Sequence, residues 1–147
     1  MEIINREAKF NYFIEDEIEC GIVLAGTEIK SIRDGKANLK DSYAIVRHNE
    51  VYLLNMYINE YKEGNLFNHD PRRTRKLLLH KSEINKLRKG VEEEGRTLVP
   101  LKLYFVKNKA KILLGLCKGK KSFDKRETIK ERDLKRAEKK EIKYRYK

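Results

Sequence analysis

The chain has no tryptophan, two prolines and two cysteines in 147 residues. Cys20 and Cys117 lie far apart and form no short-spaced pair. That excludes a disulfide scaffold and fits small buried thiols in a reducing, cytoplasmic compartment. No stretch approaches the roughly 18 apolar residues of a membrane span, and the opening Met1 to Arg6 has no basic region followed by an apolar run. Neither a membrane partner nor an export signal is therefore expected. His48, His69 and His80 are scattered, with no i,i+4 partner, so no metal or other cofactor is expected. Gly-rich phosphate loops, HExxH and GxSxG are all missing, and there is no internal repeat.

What the chain has is positive charge, unevenly placed. The formal net charge is +12, and Lys118 to Lys147 carry 14 Lys and Arg against 6 Asp and Glu. The segment's large apolar residues are Phe123, Ile129, Leu134, Ile142, Tyr144 and Tyr146. Six scattered side chains do not offset the entropy of ordering thirty residues, so this arm is expected to be mobile when alone. Residues 1 to 117 are nearly balanced, with 21 basic and 17 acidic residues. A compact body with a cationic arm suits a polyanion, because each neutralised phosphate releases condensed counterions. Beyond Phe123 the arm is rich in helix formers, and a helix that forms on contact with a negatively charged groove is expected.

The body reads as strands with a few short helices. Ile18, Cys20, Ile22 and Leu24 alternate with Glu17, Glu19, Gly21 and Val23, which marks a strand with Glu17 and Glu19 pointing outward. Thr27 and Gly35 bracket a short helix with Ile29 and Ile32 facing the core. Ser42 to Arg47 and Glu50 to Tyr57 form a hairpin around His48-Asn49. Residues 60 to 72 form a long loop, of the kind that is usually functional or flexible. Arg73 to His80 is extended, and a helix capped by Ser82 runs to Gly95, weakened by Gly90. Leu98 to Val106 and Ala110 to Cys117 are a strand pair; Val99, Leu101, Leu103 and Phe105 share one face, and Ala110, Ile112, Leu114 and Leu116 another. Five or six short strands with two or three short helices predict a mainly β fold, a small antiparallel barrel of the oligonucleotide-binding type.

Three constellations could carry chemistry. Glu28-Ile29-Lys30, with Asp16 or Glu19 upstream, has the Glu-x-Lys spacing of some metal-dependent nucleases, a spacing common by chance. Arg72-Arg73-Thr74-Arg75-Lys76 puts Arg73 and Arg75 on one face of an extended segment and Arg72 and Lys76 on the other. Some of these arginines would brace the loop while others meet RNA, where Arg can fork two hydrogen bonds onto a phosphate. Tyr61 and Phe67 lie in the long loop, where a ring can stack on a base; Phe123, between Lys120-Lys121 and Lys125-Arg126, is an aromatic flanked by cations and well placed to stack on an exposed base.

Taken together, Asn5-Arg6, Tyr12-Phe13-Ile14-Glu15, GTEIKSIRDGKANLKDSY from Gly26 to Tyr43, HDPRRTRKLLLH from His69 to His80, TLVPLKLYF from Thr97 to Phe105 and GKKSFDKRE from Gly119 to Glu127 resemble the SsrA-binding protein (small protein B) family. The resemblance covers nearly the whole chain. It implies a non-enzymatic, monomeric RNA-binding adaptor in the cytoplasm. Such a protein binds the tRNA-like domain of transfer-messenger RNA and delivers it to the empty A site of stalled ribosomes for trans-translation. Residues 1–118 would be the RNA-binding barrel. Residues 119–147 would be a flexible basic tail, helical in the small-subunit decoding centre and mRNA channel. By resemblance the RNA-facing residues are Asn5, Glu19 and Leu78, with Arg73, Arg75 and Lys76 from the basic cluster. The tail residues are Gly119, also the hinge, then Lys120, Lys121, Phe123, Asp124, Lys125 and Arg126. Phe10 departs from the His of many members, and Phe123 from the usual Tyr or His. Two other readings are an rRNA-binding ribosomal protein with a basic extension and the nuclease.

Overall fold

The computed structural model describes residues 1–145, apart from the side chains at 64–66, 122, 128 and 137–145. Its elements are β1 (Glu2–Ile4), α1 (Ala8–Asn11), β2 (Tyr12–Ile22), α2 (Gly26–Arg33), β3 (Ala37–Asn38), β4 (Tyr43–Arg47), β5 (Glu50–Leu54), β6 (Tyr57–Ile58), a 3-10 helix (Lys62–Phe67), β7 (Arg75–Leu78), α3 (Lys81–Glu92), β8 (Thr97–Val106), β9 (Lys109–Gly119) and α4 (Ser122–Arg145). Every strand pairing is antiparallel. The order β8-β4-β5-β7-β2-β9 closes on itself through β8–β9, and β1 adds to β8. Closure leaves few free edges, as the barrel expectation required.

Turn chemistry sets the register. His48 and Asn49 both have positive φ, 51° and 60°, and join Arg47 to its partner Glu50. Lys107 and Asn108, at 48° and 66°, do the same between Val106 and Lys109. Two consecutive left-handed residues match the right-handed twist of the strands they connect. The second turn is thus two residues long, and Lys109 is the first residue of β9.

The barrel interior is filled by side chains such as Cys20, Leu53, Leu77, Leu103, Ile112 and Leu114, with Ile32 of α2 and Leu87 of α3 plugging it. A smaller cluster, Ala8, Val99, Leu101 and Cys117, lies under α1. This corrects the expected face of β8. The β8–β9 register shifts between Pro100 and Lys102, so Val99 and Leu101 pack in the smaller cluster while Leu103 points into the barrel. One extra residue in a strand reverses the parity of everything beyond it. Gly90 also finds its reason: a Cβ there would come within 2.9 Å of both Leu116 Cδ atoms, so glycine lets α3 lie against β9 without displacing that side chain. The expected caps are displaced as well. At α2 the Glu28 carboxylate accepts from the Ala25 N–H (2.8 Å), and at α3 Glu83 accepts from the His80 N–H (2.9 Å). Thr27 instead bonds His69, and Ser82 lies inside α3, not at its cap.

Candidate nucleic-acid interface

The basic cluster before β7 is organised by one buried carboxylate. Glu28 and Arg75 are both fully buried. The Arg75 Nε donates to Glu28 Oε2, its Nη1 to the Met56 carbonyl (2.7 Å) and its Nη2 to the Pro71 carbonyl (3.1 Å). Arg73 Nη2 donates to Glu28 Oε1 (2.5 Å) and to the Val23 carbonyl (3.2 Å). Burial by itself pushes the Glu28 carboxyl up, but Arg73, the Ala25 N–H and Arg75 together hold it below its ordinary value. Arg75 is therefore corrected from an RNA contact to an internal brace: all its donors point into the protein. Arg73 is partly spent in the same way, with 35% of its side chain exposed. Lys76 remains at the surface, paired with Glu50 at 3.5 Å. An exposed pair of this kind is worth at most about 1 kcal/mol, so a phosphate can displace Glu50.

The same carboxylate removes the nuclease reading. A Glu-x-Lys site needs its Glu on a metal, and Glu28 is held by two guanidiniums instead. Lys30 lies 5.4 Å from the Tyr61 ring, and Asp16 pairs with Lys86 at 2.5 Å, which lowers its carboxyl below the usual value. Among the described residues no group of three or more His, Cys, Asp or Glu could hold a metal ion. His69 is buried, bonded to Thr27 Oγ1 (2.8 Å) and to the Ile58 carbonyl (3.0 Å). Burial raises the thiols of Cys20 and Cys117 to about 12 and about 11, so both are neutral at physiological pH.

Glu19 and Leu78 come together on the outer surface. Glu19 is exposed on β2, two residues before Gly21, which pairs with Leu78 of β7. Leu78 is 51% exposed and lies over Gly21, where an added Cβ would be 3.2 Å from its own Cβ. Glycine here lets the leucine lean across the strand. The Glu19 carboxylate acts on the Tyr104 phenol; burial and that carboxylate push the phenol's pKa up to about 12. Sequence parity placed Glu19 outside, but nothing in the sequence joins it to Tyr104 of β8. Asn5 lies at the end of β1, half-buried, with its Nδ2 donating to the Pro100 carbonyl (2.9 Å) and its N–H to the Leu101 carbonyl (2.8 Å). It pins the chain's start onto β8 at the bulge.

An acceptor, an apolar side chain and a phenol make a surface whose chemistry suits sugar and base edges better than phosphate. Glu19→Ala is expected to weaken specific RNA binding about 5- to 30-fold, the loss of one good polar contact. The slope of log affinity against log salt stays the same, because no phosphate contact is lost. A shallower slope in a salt titration would show that Glu19 works instead by organising nearby cations.

The tail residues leave the barrel beside α1. Gly119 is the last residue of β9, paired with Tyr12, so the tail departs from the end of that strand. The Lys120 N–H donates to the Asn11 carbonyl (2.8 Å), and its Nζ to the Lys9 carbonyl (2.8 Å), 4.8 Å from the Phe13 ring. The Lys121 N–H donates to Asp124 Oδ2 (3.2 Å), so Asp124 caps α4 and complements its dipole. Lys125 and Arg132 lie 5.9 Å and 5.2 Å from the Phe10 ring. Phe123 is 68% exposed, and Lys121 and Arg126 face solvent. The arm expected to be mobile when alone is a helix here, with Ile129 and Leu134 also exposed, so among its described side chains the large apolar ones do not pack into the core. Tyr146 and Lys147 lie outside the described residues. Among the described residues no helix is long and apolar enough to cross a membrane.

The chain matches the family profile described as SmpB protein over residues 2–144. It is 54% identical over 141 residues to the SsrA-binding protein of Treponema denticola, covering 96% of this chain and 92% of that one. It is 58% identical over 142 residues to the SsrA-binding protein of Staphylococcus saprophyticus, covering 97% and 92%. A solved chain from the structure "tmRNA-SmpB: a journey to the center of the bacterial ribosome" superposes with a TM-score of 0.70 at 50% identity, covering 82% of this chain and 85% of that chain.

Proposed function

The chain belongs to the SmpB family, and from that premise we propose that it is the adaptor that binds transfer-messenger RNA and brings it to the empty A site of stalled ribosomes for trans-translation. The observation that carries this is the family match from residue 2 to residue 144, which takes in the barrel and nearly all of α4 as one unit. The site geometry is consistent with a division of labour. The outer surface of Glu19, Leu78 and Tyr104, with Asn5 at the end of β1, meets the tRNA-like domain. Lys76 and the exposed part of Arg73 add phosphate contacts beside it.

Lys120, Lys121, Phe123, Asp124, Lys125 and Arg126, following Gly119, serve the decoding centre, and the rest of α4 follows the vacant mRNA path. There the cations of α4 meet rRNA phosphates, which firms up a helix whose described large apolar side chains do not pack into the core. In this reading the chain is an adaptor and carries no catalytic residue. It works in the cytoplasm, with the ribosomes.

The test is to purify tagged protein from cells and sequence the RNA that comes with it. One stable species with a tRNA-like end is the expected result. Bulk rRNA in proportion to all ribosomes, stalled or not, would move the assignment to an ordinary ribosomal protein.

A further inference from the structure

Phe67 is 91% exposed, the most exposed of the large apolar side chains among the described residues. Yet the backbone beside it is firmly held. The Tyr61 N–H donates to Asn68 Oδ1 (3.1 Å) and Asn68 Nδ2 donates back to the Tyr61 carbonyl (2.5 Å), which closes the neck of the loop around the 3-10 helix Lys62–Phe67. Below the neck, the next residue, His69, bonds Thr27 and the Ile58 carbonyl. The Ile58 N–H donates to the Pro71 carbonyl (2.9 Å), which also accepts from Arg75. The buried Glu28–Arg75 pair thus anchors the far flank of the loop. The near flank is tied by the Asn59 N–H to the Lys36 carbonyl (2.9 Å).

A loop with its neck closed and its stem tied to the core presents the ring at low conformational cost. A pinned, exposed ring offers a partner its π face. The nearby charges do not define a phosphate site: exposed Lys62 is balanced by exposed Glu63, Glu60 is exposed outside the neck, and the Lys30 ammonium lies by the Tyr61 ring. Among the described residues 44–77 Phe67 is the one exposed large apolar side chain, which favours a single-ring contact over the apolar cluster that anchors a protein–protein interface. A single aromatic ring on a rigid loop matches the need of an unstacked nucleobase. We propose that Phe67 is a base-stacking platform for an unpaired nucleotide of RNA. This rests on the RNA-adaptor reading, and adds to it a contact on the loop that the barrel surface and the tail do not provide.

The sequence supplies its own probe, because the chain has no tryptophan. Phe67→Trp introduces a single indole whose fluorescence is quenched when a base stacks on it. The variant is titrated with the tRNA-like domain of transfer-messenger RNA and, separately, with ribosomes holding an empty A site; the arm that quenches identifies the source of the base. Phe67→Ala is expected to weaken binding to that RNA about 5- to 100-fold without altering its salt slope. Phe67→Leu, which keeps apolar bulk and loses the π face, is expected to behave like the alanine variant. Unchanged melting temperatures accompany all three, since the side chain is in solvent.

The inference is overturned if neither RNA quenches Phe67→Trp while the unaltered chain binds, if Phe67→Ala binds within twofold of it, or if Phe67→Leu binds as well as it does. A photo-crosslink from position 67 to a ribosomal protein instead of RNA would also overturn it. Loss of all RNA binding by the unaltered chain would sink the adaptor reading itself, and this inference with it.

Discussion

Glu28→Ala is expected to destabilise the protein by about 3–5 kcal/mol, because it leaves the fully buried Arg75 guanidinium without its counterion. That is a large fraction of the 5–15 kcal/mol that typically separates folded from unfolded domains. It also removes the acceptor that caps α2 at Ala25 and frees Arg73. Urea denaturation followed by circular dichroism measures the loss. Arg75→Met alone should also destabilise, but by less: it loses the bonds to the Met56 and Pro71 carbonyls, while Arg73 and the Ala25 N–H still hold the carboxylate. The double variant Glu28→Ala/Arg75→Met should cost clearly less than the sum of the two single changes, since neither charge is left buried and alone. Additive losses would show that the pair is not coupled and that Arg75 acts only through its carbonyl partners at Met56 and Pro71.

The pH dependence follows from the same geometry. The Glu28 carboxyl is lowered from 4.5 in the folded state, so the folded protein binds fewer protons there than the unfolded chain does. Its contribution is fully present above the ordinary carboxylate range and is lost as pH falls through the depressed folded value. Asp16, lowered by Lys86, adds in the same direction at an exposed site. The unaltered protein should therefore lose more stability between about pH 5 and pH 3 than Glu28→Gln does.

The contrast between Arg75 and Glu19 shows what a sequence can and cannot carry. The outward direction of Glu19 was legible because period-2 alternation is local and β2 keeps it through that stretch. The His48-Asn49 hairpin was legible for the same reason: two residues that tolerate positive φ, flanked by strand-forming runs, need no distant partner. The burial of Arg75 was not legible, because its partner Glu28 is 47 residues away and on a helix. Read alone, an arginine in a basic cluster is a surface cation; only the closed barrel brings the acid beneath it. The parity of Val99 and Leu101 failed at the bulge, which local pattern does not mark. Thr27 and Ser82 failed as caps because Glu28 and Glu83 reach back to backbone N–H groups and set the helix starts earlier. Tyr104 was missed as a partner of Glu19 since the two lie on different strands. The resemblance named Asn5, Glu19 and Leu78 as RNA-facing, but it could not say that Gly21 makes room for Leu78 to lean over β2.

Ending the chain after Lys120 is expected to leave affinity for the tRNA-like domain within about threefold while reducing tagging of stalled peptides to background. The position of the cut matters. A cut after Cys117 would strip Lys118 and Gly119, which pair with Phe13 and Tyr12, and would damage the barrel edge that the experiment must preserve. A cut after Lys120 keeps those pairs and the Lys120 N–H on the Asn11 carbonyl. It removes 12 basic and 6 acidic residues, so the net charge falls from +12 to +6.

If the barrel surface supplies the specific grip, the losses fall on contacts with the ribosome. Binding to the isolated tRNA-like domain then changes only through the weak, salt-dependent pull of distant charge. Anisotropy of a labelled RNA fragment at two salt concentrations measures the first quantity, and tag addition in reconstituted translation on an mRNA without a stop codon measures the second. Phe10, with Lys125 and Arg132 beside its ring, gives a reason to expect separation of the two. Two exposed cation–π contacts are worth about 1–2 kcal/mol in total, enough to bias where α4 leaves the barrel but too little to compete with a decoding centre made of phosphate. On the proposed reading the helix is aimed by the barrel and held by the ribosome. Equal losses of RNA binding and tagging would mean that α4 forms part of the first grip on transfer-messenger RNA, and the two-surface mechanism would fall.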